Sequence, residues 1–157
     1  MCLRKPSRSL VEKVKTFEGK RLKSYRCPAG VWTIGYGHTS GVTKDMVIND
    51  SAADAFLVQD LKGCIKSVER LCSDLSQSQM DALADFVFNL GIGSLKTSTL
   101  MKKIKKGLEE GDMIKYRDEI KKEFGRWNKA TVNGKKVELA GLTKRRQWEA
   151  ARFFDEA

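Results

Sequence analysis

Three residue types at fixed spacing carry the chemistry in "FEGKRLKSYRCPAGVWTIGYGHTSG", residues 17–41: Glu18, then eight residues, Cys27, then five residues, Thr33. The chain's single histidine, His38, follows in the same stretch. Glycosidic bond cleavage needs an acid to protonate the leaving oxygen, and a second group to activate water or attack the anomeric carbon. Glu18 suits the acid. Cys27 suits the second role as a thiolate, although an unperturbed thiol is only about 3% ionised at neutral pH. Cys27 with His38 offers a rival, a cysteine peptidase, but no Asn or Asp stands out to orient the imidazole. The plain alternative keeps Glu18 as surface charge, Cys27 as a small buried hydrophobe and Thr33 as a strand residue.

The elements around these residues decide how they point. Residues 9–19 read as a helix, with Ser9 as N-cap, Leu10, Val11, Val14 and Phe17 as its apolar stripe, and Gly19 as its stop. Glu18 then lies in the last turn, where the negative end of the helix dipole favours a protonated acid. Two strands follow, Leu22–Cys27 and Val31–Tyr36, joined by the three-residue loop Pro28-Ala29-Gly30. That loop sets Tyr25 opposite Thr33 and puts Cys27 and Thr33 on one face; a two-residue loop would separate them.

A long helix starts near Asp50 or Ser51, with the stripe Leu57, Leu61, Cys64, Ile65, Val68 and Cys72. Helices are expected over Ser76–Leu90, Thr97–Lys106, Asp112–Phe124 and Thr143–Phe154. The Asn-Gly turn in "TVNGKKVE" predicts a small hairpin between the last two. The class is α+β and mostly helical, on 157 residues. Phe86, Val87, Phe88 and Leu90 read mostly as core, although an aromatic beside the polar Asn89 at a helix end can line a sugar groove; Trp127 and Trp148 carry the same ambiguity.

Net charge is +10, which calls for an anionic partner: nucleic acid, acidic lipid or a wall polymer. Lysines and arginines are spread over the chain, whereas a nucleic-acid reader would gather them on one face. No apolar run approaches a membrane span, and "MCLRKPSRSL" lacks the apolar stretch of a signal peptide. Cys64 and Cys72 lie a helical rise of about 12 Å apart, too far to bridge, and Cys2 sits at the terminus. Free thiols fit folding in a reducing compartment. One histidine and scattered cysteines offer no metal site, and no cofactor is expected.

The motif Glu18, Cys27, Thr33 resembles the signature of the phage-type lysozymes, or endolysins, of glycoside hydrolase family 24: Glu, eight residues, Asp or Cys, five residues, Thr. "DALADFVFNLGIGSLKTSTL" and "GLTKRRQWEAARFF" are similar to the family's helical segments, so the resemblance covers residues 9–154. It implies a two-lobed lysozyme-like fold within one domain over 1–157. A small β-hairpin lobe (about 9–50) and a helical lobe (about 73–157) are joined by a connector helix (about 51–72). The implied reaction is hydrolysis of the β-1,4 bond between N-acetylmuramic acid and N-acetylglucosamine in peptidoglycan, lysing the bacterial cell. Glu18 would be the general acid, Cys27 would stand where Asp is commoner, and Thr33 would sit beside the attacking water. Thr39, Phe88, Asn89 and Ser98 fall where relatives line the saccharide groove. Asp60, on the connector helix, would pair with His38 of the "GYGHT" loop. A lytic transglycosylase acting on the same bond is the nearest alternative, and a non-catalytic basic polymer-binding protein a more distant one. The expected partner is the bacterial wall, with no nucleic acid, no stable membrane insertion and a monomeric state. Synthesis would be in the host cytoplasm and action on the wall would follow release, for which family members commonly rely on a separate membrane-permeabilising protein.

Overall fold

Ser7 starts the first helix in the computed structural model, which describes residues 4–157 and leaves Cys2 outside them. Its hydroxyl accepts the Leu10 N–H at 3.1 Å. Helix α1 is therefore Arg8–Glu18, and the expected cap, Ser9, lies inside the first turn instead. Gly19, at φ 71°, ends it with its N–H on the Lys15 carbonyl at 3.0 Å. Glu18 is the last helical residue.

Strands β1 (Arg21–Arg26) and β2 (Trp32–Gly35) pair antiparallel, with Tyr25 opposite Thr33, the register the three-residue loop predicts. Gly30 closes that loop at φ 80°, a left-handed conformation, with its N–H on the Cys27 carbonyl at 2.8 Å. The strands stop short of the expected Cys27, Val31 and Tyr36, although the Cys27 N–H still reaches the Val31 carbonyl at 3.0 Å. β2 ends at Gly35 because the chain turns there, and Ile34 and His38 exchange two backbone bonds of 2.9 Å. The other edge of β1 is covered by residues 46–48, with the Ile48 N–H on the Leu22 carbonyl at 2.9 Å.

Helix α2 is Asp50–Leu71, capped by Asn49, whose Oδ1 accepts the Ala52 N–H at 2.8 Å. Leu57, Leu61, Ile65 and Val68 of the expected stripe are buried; Cys64 and Cys72 are half-buried free thiols. The chain divides within this helix into two compact units, one ending at Gly63 and the other Cys64–Ala157.

In the second unit α3 (Gln77–Leu90) opens with a reciprocal capping box between Ser76 and Gln79. The helix expected over Thr97–Lys106 is present as α5 (Thr99–Glu110), and a short helix that was not expected, α4 (Ile92–Lys96), precedes it. Thr97 is the C-cap of α4, and Ser98 turns the chain to cap α5. Asp112–Phe124 is interrupted: a 3-10 turn, Ile114–Tyr116, precedes α6 (Arg117–Gly125). The Asn-Gly hairpin is present as β3 (Lys129–Val132) and β4 (Lys135–Glu138). Helix α7 (Ala140–Phe153) begins three residues before the expected Thr143, since the Leu139 N–H already bonds the Asn128 carbonyl at 2.9 Å and ties hairpin to helix.

Phe86, Phe124 and Phe153 fill this unit's core, with ring centroids 6.1 and 5.9 Å apart along the series. Beside them runs a buried ionic seam between α3 and α7. Asp81, Asp85 and Asn89 recur every four residues, so one face of α3 carries all three. Arg145 grips Asp85 in a fork of 3.0 and 2.8 Å, and Arg152 bonds Asp81 through Nε at 3.1 Å and Nη2 at 2.8 Å. Arg146 meets Glu149 through Nη2 and Oε2 at 2.8 Å; its Nε lies 2.7 Å from Oε1, but outside hydrogen-bond geometry.

Burial, and then a hydrogen bond with Asp85, hold the Glu149 carboxyl well above the usual glutamate range. The arginines stay charged, because guanidinium does not deprotonate in proteins. A raised folded pKa gives stability that is present below the unfolded value, about 4.3, and lost as pH rises through the folded one. Glu149→Gln should therefore match the wild type near pH 4 and gain on it above that, by up to about 1.4 kcal/mol per pH unit. Urea denaturation of both proteins across pH tests this; parallel stability curves would contradict it.

Candidate active site

Glu18 leaves the C-terminal end of α1 half-buried. Its Oε2 would stand 3.6 Å from a Cβ placed at Gly37, which has φ 85°. The "GYGHT" loop thus passes its backbone beside the carboxylate, and the positive φ at Gly37 is a conformation that glycine adopts without strain. The loop is held from behind. His38 is 5% exposed, donates from Nδ1 to Asp60 Oδ2 at 2.8 Å, and stacks on Phe56 at 4.2 Å with the planes 6° apart. Thr39, next in the chain, is exposed.

Cys27 leaves the end of β1 into the loop, with Thr33 on the facing strand. The Val31 backbone N–H, then that of Ala29, the Thr33 hydroxyl and the thiol's own amide hold Cys27 below the ordinary thiol value, against the opposing effect of desolvation. Convergent loop amides of this kind form an anion nest. Thr33 is 4% exposed and its hydroxyl donates to the Val31 carbonyl at 3.0 Å. Its one proton serves either that carbonyl or the sulfur, so ionisation of Cys27 favours rotation toward the thiolate. The groups that chiefly lower Cys27 are backbone amides and the Thr33 hydroxyl, whereas His38 is engaged by Asp60 and Phe56. That arrangement disfavours a Cys-His peptidase pair.

Glu18, Cys27, Thr33, Thr39, His38 and Asp60 all belong to the first unit, and Phe88, Asn89 and Ser98 to the second. Phe88 and Asn89 end α3, both half-buried. The Ser98 hydroxyl is 5% exposed and doubly used, accepting the Met101 N–H at 3.0 Å and donating to the Leu95 carbonyl at 2.6 Å. Ser98 also lines a cavity of about 530 Å³ with Thr97, Thr99, Trp127, Arg126, Lys129 and Lys136. Sequence reasoning passed over its basic rim; the hairpin register, with Lys136 opposite Thr131 and so on the Lys129 face, was the available signal. It also passed over Arg146, which read as one more cation in "TKRRQW". No cluster of metal-ligating side chains occurs among the described residues. No helix among them is long and apolar enough to cross a membrane.

A family model described as "Phage lysozyme" matches residues 15–149. The endolysin of Acyrthosiphon pisum secondary endosymbiont phage 1 is 43% identical over 141 residues, covering 89% of this chain and 91% of that protein. Among solved structures, the muramidase domain of SpmX from Asticaccaulis excentricus superposes with a TM-score of 0.82 at 34% identity, covering 96% of this chain and 97% of that one. The endolysin from Escherichia coli O157:H7 phage FAHEc1 gives 0.80 at 31% identity, covering 100% and 96%. The chain belongs to the phage lysozyme family, with the lysozyme-like α+β fold. It is a glycoside hydrolase that degrades peptidoglycan.

The amide nest around Cys27 has a measurable consequence. The rate of Cys27 carbamidomethylation, followed by peptide mass spectrometry against pH, should have its midpoint below the ordinary thiol value of about 8.5. Thr33→Val, which removes one donor, should move the midpoint upward. A wild-type midpoint at or above the ordinary value would refute the nest.

Proposed function

We propose that the enzyme hydrolyses the β-1,4 bond between N-acetylmuramic acid and N-acetylglucosamine, with Glu18, Cys27 and Thr33 at the reacting atoms. Glu18 gives its proton to the bridging oxygen as the C1–O bond breaks. The Cys27 thiolate takes a proton from water, whose oxygen bonds to C1. The products are a new reducing end and a free 4-hydroxyl; the thiol then loses its proton to solvent, and Glu18 regains one. Direct attack of the thiolate on C1, with water releasing the sugar in a second step, is the other course open to a sulfur nucleophile. Thr33, one donor away from the sulfur, steadies the thiolate and the water beside it.

The observation that carries this reading is the thiol held low by the loop amides and Thr33. A cysteine kept there only for packing has no use for such an environment. Thr39, Phe88, Asn89 and Ser98 are the proposed saccharide contacts. The His38–Asp60 pair is proposed to stiffen the loop that backs Glu18. The net charge of +10 would hold the enzyme near an anionic wall without any sequence readout.

Glu18→Gln keeps size and removes the transferable proton, so turnover on purified peptidoglycan should fall by at least about 100-fold with folding unchanged. The wild type should release reducing sugar ends. Anhydro-muramic ends would make the enzyme a lytic transglycosylase, and free amines a peptidase or amidase. A well-folded Glu18→Gln protein with near-normal activity would sink the proposed mechanism.

A further inference from the structure

Arg146 is 1% exposed, yet three of its contacts reach outside its own helix. Nη2 donates to Asn89 Oδ1 at 2.9 Å, Nη1 lies 3.4 Å from the Trp127 carbonyl, and the guanidinium sits 5.2 Å from the centroid of the Phe86 ring. Phe86 in turn meets Trp127 edge-on at 5.5 Å. A guanidinium has donors only, so the atom of the Asn89 amide that faces it must be the oxygen. The amide nitrogen, on the other branch of the same carbon, keeps two protons to donate. The orientation of Asn89 is thus set by its buried neighbour.

A fixed donor discriminates among acceptors. Sugar hydroxyls both give and accept, so they adapt to either end of an amide, whereas a carbonyl accepts only. The carbonyls regularly carried by the sugars of this substrate include those of their N-acetyl groups. We propose that Arg146 is a positioning residue that presets Asn89 to donate to an acetamido carbonyl of the glycan, making the enzyme selective for N-acetylated over N-deacetylated strands. The inference rests on the reading of Asn89 as a saccharide contact.

Two variants and two substrates test it. Asn89→Asp keeps an oxygen for Arg146 and replaces the outward donor with a second oxygen. It should fold with an undiminished Tm, raise KM on acetylated glycan strands about tenfold with kcat little changed, and narrow or invert the preference over N-deacetylated strands, whose ammonium suits a carboxylate. Arg146→Lys leaves net charge unaltered but cannot span Asn89, Glu149 and the Trp127 carbonyl together. It should narrow the same preference through KM, which a merely structural loss would not do selectively. Wild-type KM ratios between the two glycans in both folded variants would overturn the proposal, and should Asn89→Asp fail to fold, Arg146→Lys alone decides. A wild type that yields no reducing ends would instead overturn the hydrolase mechanism on which the proposal stands.

Discussion

The pairing of Tyr25 with Thr33 is the constraint on which the candidate chemistry depends. Side chains alternate along a strand, so a slip of one residue would turn Thr33 away from Cys27 and dismantle the donor set around the sulfur. Pro28-Ala29-Gly30 fixes that register with one loop hydrogen bond and one left-handed glycine. The same loop supplies the Ala29 amide, and the residue after it the Val31 amide, that lower the thiol. Backbone geometry and thiol acidity therefore have one cause. A longer loop would lose both.

The second unit solves a different problem. Its helices bury several charges together: Arg145 and Arg152 of α7 meet Asp85 and Asp81 of α3 across the seam, while Arg146 pairs with Glu149 one turn on within α7. Replacing such pairs by hydrocarbon is often neutral or stabilising, so a buried seam is weak evidence for stability as such. It does fix the helices in one register, because each fork accepts one carboxylate geometry. At one end of the seam Arg146 also engages Asn89. The Arg146 side chain thereby joins the core carboxyl of Glu149 to the half-buried amide of Asn89.

Much of this was legible in the sequence where a single local cause acts. The Asn-Gly turn fixed a hairpin because both residues accept positive φ, 50° at Asn133 and 79° at Gly134. Gly19 marked the end of α1, and the alternation around Pro28-Ala29-Gly30 marked the strand register. Where two local signals compete, the reading slipped. Ser7 and Ser9 are both of a type that caps helices, and Ser7 takes the role, its hydroxyl accepting the Leu10 amide three residues on. Thr97, Ser98 and Thr99 can each open a helix by type, and it is Ser98, accepting the Met101 amide, that caps α5 while Thr97 ends α4. The buried seam was invisible for a different reason: Arg145 and Asp85 are 60 residues apart, and exposed charge and buried charge look alike in one dimension. The placement of Glu18 beside Gly37 likewise depends on two turns whose combined path no local pattern encodes.

The proposed chemistry requires Cys27 to work as an anion, and exchanging its side chain for three others asks this directly. Aspartate supplies an anion at neutral pH, serine a neutral hydroxyl and alanine neither. Peptidoglycan hydrolysis by the three variants, measured against pH alongside their thermal stability, is the decisive experiment. Cys27→Asp should keep substantial activity, with the rising limb of its pH profile moved to lower pH, while Cys27→Ser and Cys27→Ala should both lose activity heavily though folded. Fully active Ala and Ser variants beside an inactive or unfolded Asp variant would show that the thiol is packing alone, and would contradict the account.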